Sequence, residues 1–101
     1  MANLQKLSPG EIEAALQKLI GWSVAVGKLH REYKFADFVH AFGFMAAAAV
    51  TVEAMGHHPE WFNVYNRVTI DLTTHDAAGI TAKDTELAAK LETLARKLQG
   101  A

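Results

Sequence analysis

The stretch Gly56-His57-His58-Pro59-Glu60-Trp61-Phe62 sets two imidazoles side by side before a proline, and a third stands at Thr74-His75-Asp76. Imidazole titrates near neutral pH, so it can give and take protons within one reaction. Neighbours on an extended strand point to opposite faces, so His57 and His58 serve one site only at a turn or a helix exit. Gly56 lets a helix stop there, and Pro59 keeps His58 out of the helical region. His57, His58 and His75 therefore form a candidate acid/base constellation.

Plainer roles stand beside that one. A histidine pair after a helix C-terminus is favoured by the helix dipole, and His75-Asp76 before Gly79 suits an ordinary turn. Asp84 is accounted for by a helix-capping pattern, Trp61, Phe62 and Tyr65 by packing, and Asn63 and Asn66 by hairpin chemistry. His30 and His40 have no evident partner and read as structural. His57, His58, His75 and Asp76 are competent metal ligands, but there is no H-E-x-x-H and no histidine pair one helical turn apart, so no metal is expected. Phosphate loops, nucleophile elbows and dinucleotide fingerprints are absent as well.

The elements that must position these rings follow from periodicity. Ser8-Pro9-Gly10-Glu11 is a capping box with proline at the first helical position, and Ile12, Ala15, Leu16, Leu19 and Ile20 make one stripe ending at Gly21. Alternation then predicts strands over Trp22 to Val26 and Leu29 to Phe35, turning at Gly27-Lys28. From Phe38 to Met55 the pattern is helical and apolar nearly all round. Phe38, Phe42, Met45, Ala49 and Val52 fall on one face and Phe44, Ala48, Thr51 and Met55 on another. Such a helix needs cover on two sides, which predicts a homo-oligomer. Asp37, His40 and Glu53 leave too short an uncharged run for a membrane span.

Trp61 to Tyr65 and Val68 to Thr73 predict a second hairpin turning near Asn66-Arg67, with Val68, Ile70 and Leu72 inward. Arg67, Thr69, Asp71 and Thr73 share the other face, and the same parity carries His75 onto it. Thr81-Ala82-Lys83-Asp84 opens a last helix with Leu87, Ala88, Leu91, Leu94, Ala95 and Leu98 on one stripe. The order α-β-β-α-β-β-α predicts an α+β domain, four antiparallel strands covered on one face by three helices.

Length and composition bound the rest. The 101 residues suit a single domain spanning 1–101, and a formal charge of −1 without a basic run argues against direct nucleic-acid binding. With no cysteine and no signal-peptide pattern, a cytoplasmic protein is expected.

Glu53 through His57-His58-Pro59-Glu60-Trp61-Phe62-Asn63-Val64-Tyr65-Asn66, then Thr74-His75-Asp76, Gly79, Thr81 and Asp84-x-x-Leu87-Ala88, resemble the signature of the pterin-4a-carbinolamine dehydratases. Ala41-Phe42-Gly43-Phe44-Met45 resembles the start of that family's central helix. Ala54 stands where the family commonly has lysine, and Gly56 where an acidic residue is frequent, changes at the rim that leave the three histidines in place.

The resemblance implies dehydration of 4a-hydroxytetrahydropterin to quinonoid dihydropterin, linked to aromatic amino acid hydroxylases, with no cofactor. It implies His57 and His75 as the acid/base pair and His58 as a pterin-orienting residue. Glu53 and Asp76 would orient the rings, Trp61 would form a pocket wall, and Asp84 matches the pattern as a further substrate-site residue. It also implies a tetramer built by strand edges and central helices. The alternative is a dimerisation cofactor acting through the central helix, because the family includes such proteins.

Overall fold

The computed structural model describes residues 4–99. Its elements are α1 (Pro9–Leu16), β1 (Ser23–Ala25), β2 (Lys28–Lys34), α2 (Phe38–Met55), β3 (Glu60–Val64), β4 (Arg67–Leu72), a short 3-10 turn (His75–Ala77) and α3 (Ala82–Leu98). All strand pairs are antiparallel, in the order β1-β2-β4-β3, so β2 and β4 are the central strands. The expected α+β order is the observed one.

Burial explains the layering. Leu29 and Tyr33 on β2 and Val68, Ile70 and Leu72 on β4 are fully covered by Phe44 and Ala48 of α2 and Leu87, Leu91 and Ala95 of α3. The opposite sheet face is mostly polar, apart from exposed Phe62 and Val64 on β3: Lys28 pairs with Glu60 at 2.5 Å, and His30 Nδ1 lies 2.8 Å from Asp71. His30 therefore has a partner, as does His40, whose Nδ1 is 2.6 Å from Asp37. Neither pair was visible without the cross-strand register or the cap geometry.

Several boundaries differ from the sequence reading. Both oxygen contacts of the Ser8–Glu11 capping box form, but α1 ends at Leu16. Leu19 reaches the core from the turn that follows, whereas Ile20 is exposed. Gly21 has φ 94°, a backbone conformation strained for any residue with a side chain, and a Cβ there would displace the Arg31 guanidinium. The second hairpin turns at Tyr65-Asn66, one residue early, because Val64 pairs with Arg67.

The first hairpin likewise turns at Val26-Gly27, since Ala25 pairs with Lys28. Val26 and Gly27 have φ 52° and 75°, the two positive values of a type I′ turn. Valine is a poor occupant of that region, and here it is 98% exposed. Val26→Asn is expected to stabilise the domain by about 1 kcal/mol, raising Tm by roughly 4–8 °C. Thermal unfolding checks this, and an unchanged or lower Tm would show that the valine costs nothing at this position.

On α2 the buried set is Ala41, Phe44, Ala48 and Val52, while Phe38, Val39, Phe42 and Val50 face outward. Of the described helices it alone has the length and hydropathy for a membrane span. Its inner face is nonetheless committed to the core. The outward residues leave an uncovered apolar stripe.

Candidate active site

The histidine pair sits where α2 ends. Gly56 takes the left-handed conformation at φ 63°, and the N–H groups of Gly56 and His57 donate to the carbonyls of Glu53 and Val52, at 3.2 and 3.3 Å. These two bonds close the helix and release the chain into the turn His57-His58-Pro59 before β3. The expected helix exit is therefore present, with both imidazoles just beyond it.

The third histidine arrives from the loop between β4 and α3. Thr74 and Gly79 bridge one another, Thr74 N–H donating to the Gly79 carbonyl at 2.9 Å. The bridge throws residues 75–77 into a 3-10 turn, so His75 leaves the strand and its face parity no longer applies. Thr81 then caps α3, and Asp84 completes the box by accepting from the Thr81 N–H at 2.8 Å.

Asp84 also joins the two segments. Its side chain is fully buried, and Oδ2 accepts from both the Thr81 N–H and the Thr74 hydroxyl, at 2.8 Å each. The Thr81 hydroxyl lies 2.8 Å from that of Thr74, extending the chain of hydrogen bonds. Oδ1 remains, and His57 Nε2 stands 2.5 Å from it. The capping explanation of Asp84 therefore accounts for one oxygen, and His57 occupies the other.

The imidazole of His57 is 11% exposed and is held from behind. Donation of Nε2–H to Asp84 leaves Nδ1 as the ring's acceptor when it is neutral. His58 and His75 are open to solvent. His58 Nε2 is 3.1 Å from Glu53, an exposed pair, and His75 Nε2 is 3.8 Å from Glu60. Lys28, hydrogen bonded to Glu60, holds that carboxyl below the usual carboxylate range, helped by the charge of His75.

His57, His58 and His75 line one cleft of about 480 Å³, together with Asp76, Glu60, Thr74 and Lys83. Trp61 does not border it; its strand parity matches Ile70, and its ring packs toward the core. Glu53 reaches the group through His58, and no hydrogen bond joins Asp76 to a ring among the described residues. Glu60, Thr74 and Lys83 were not picked out from sequence. Glu60 and Thr74 lay inside the family-like motif without a role, and the partners of Glu60, Lys28 and His75, are distant in the chain. Among the described residues, no cluster of three or more potential ligands is arranged to hold a metal ion.

A cleft with one buttressed imidazole and two solvent-facing ones is equipped to move protons at two points of a small polar substrate. Comparisons with known proteins narrow that chemistry. The sequence profile described as pterin 4 alpha carbinolamine dehydratase matches residues 5–94. A protein of Solibacter usitatus is 72% identical over 90 residues, covering 89% of this chain and 95% of its own. One from Rhizobium rhizogenes is 50% identical over 95 residues, covering 92% and 94%. Both bear the name "Putative pterin-4-alpha-carbinolamine dehydratase". The crystal structure of a transcriptional coactivator/pterin dehydratase from Brucella melitensis superimposes with TM-score 0.87 at 45% identity, covering 90% of this chain and 99% of that one.

Proposed function

The chain belongs to the pterin-4a-carbinolamine dehydratase family, and from that premise we propose that it dehydrates 4a-hydroxytetrahydropterin, supporting tetrahydropterin recycling after aromatic amino acid hydroxylation. The observation that carries the reading is the buried Asp84–His57 pair at the back of a cleft shared with His58 and His75.

The reaction breaks the bond between C4a and its hydroxyl oxygen. One proton must reach that oxygen, which leaves as water, and one must leave the ring nitrogen system as the new C=N bond forms. His57, with Nε2–H directed to Asp84, offers Nδ1 as the base. His75, on its turn at the open side, supplies the proton to the departing oxygen. His58, steadied by Glu53, binds the polar edge of the pterin, and Asp76 and Lys83 complete that edge. No cofactor enters this scheme.

The outward apolar stripe of α2 favours assembly with further copies of the chain, and it is also the observation behind a second reading, an interaction module. Stopped-flow absorbance of synthetic 4a-hydroxytetrahydropterin separates the two. Wild type should accelerate its decay, and a His57→Ala/His58→Ala/His75→Ala variant of the same oligomeric state should not. No acceleration by wild type would reject the dehydratase and leave the helix stripe as the functional surface.

A further inference from the structure

The cleft has a wall that the family signature does not include. Leu4, ahead of α1, borders it, and among the described lining residues only Leu4 and Pro59 bring purely apolar side chains. The position of Leu4 follows from three ties on the segment behind it. The Leu7 N–H donates to the Ile80 carbonyl at 2.8 Å. The Lys6 stem lies so close over Gly79 that a methyl group there would meet Lys6 Cε at 2.8 Å. The Ser8 capping box then fixes the start of α1. The segment is thereby strapped across the loop that carries His75.

A pterin ring is flat, with polar groups at its edge and two faces that gain from apolar contact. Apart from Pro59, the remaining side chains offer imidazoles, carboxylates, hydroxyls and an ammonium, which suit the edge. We propose that Leu4 is a substrate-positioning residue that packs against the ring face of the pterin. This rests on the dehydratase reading.

The test is calorimetric titration with 6-methyl-7,8-dihydropterin, which carries the ring without an extended side chain, together with steady-state kinetics. Leu4→Ala is expected to weaken binding and raise KM about five- to tenfold while kcat stays within about twofold, the pattern for lost uniform binding. Leu4→Met, which keeps the apolar volume, should stay close to wild type. Leu4 is 36% exposed, so both variants should fold. Unchanged binding by Leu4→Ala, or a fall in kcat at constant KM, would overturn the assignment and leave the dehydratase standing. A wild type that neither binds the probe nor dehydrates the substrate would overturn both.

Discussion

His57→Ala should lower kcat for dehydration by about 10²–10⁴, the range of a positioned general base, with little change in KM or in folding. Asp84→Asn should lower it by about 10² or more without touching the substrate. The two oxygens of Asp84 have different partners. Thr74 and Thr81 both donate to Oδ2, so the asparagine oxygen belongs there and its NH2 group turns toward His57. An N–H facing Nε2 forces the ring to carry its proton on Nδ1, and the acceptor proposed as the base is lost. Single-turnover rates for both variants check this, with the imidazole tautomer read by nitrogen NMR. Full activity in Asp84→Asn would remove the pair from the mechanism and leave Asp84 as a helix cap.

The largest effect on stability is expected far from the cleft. Glu92 of α3 is nearly buried and accepts from the Trp22 indole at 3.0 Å, Arg96 Nε at 3.1 Å and the Tyr33 hydroxyl. Arg31 Nε stands 3.5 Å away, and its guanidinium lies over the Tyr33 ring. Glu92→Leu leaves these donors without an acceptor and strands the Arg31 charge. A loss of about 3–5 kcal/mol is expected, a large part of the ~5–15 kcal/mol typical of a domain. Urea unfolding measures it, and a loss under about 1 kcal/mol would show that water replaces the carboxylate.

The pH dependence of that contribution has a definite sign. Burial raises the Glu92 pKa, but hydrogen bonds from Tyr33, Trp22 and Arg96 and the charge of Arg31 outweigh it, so the folded value lies below the ordinary 4.5. A depressed carboxyl stabilises the fold above the unfolded value and loses that contribution as pH falls through the folded one. Acid unfolding of Glu92→Leu should therefore lack this part of its pH dependence. Tyr33, desolvated and facing Glu92, is pushed well above the usual phenol range and stays neutral.

The fold was legible wherever local chemistry is unambiguous. Both capping boxes and the glycine stop at Gly56 bind partners within a few residues, and the run Val68, Ile70, Leu72 declares its buried face by alternation alone. The turns were each read one residue late. Gly27 is competent at either central position, and nothing in the sequence announces that Val26 and Tyr65 accept positive φ. The site was legible as a set of histidines, but its geometry was not. His57 and Asp84 meet only because β3 and β4 fold back on one another, and a capping pattern already explained Asp84. The placement of Trp61 needed the strand register, and the Leu4 wall needed the path of the segment before α1.

The closure of α2 ties the outside of the molecule to its chemistry. The His57 N–H is bonded to the carbonyl of Val52, whose side chain is buried, while the same rigid helix carries Phe38, Phe42 and Val50 on its far side. The imidazole that meets Asp84 is thus anchored through its own backbone to the helix that bears the outer stripe. One 18-residue helix therefore borders both the histidine cleft, at its C-terminal end, and the uncovered apolar surface along its length.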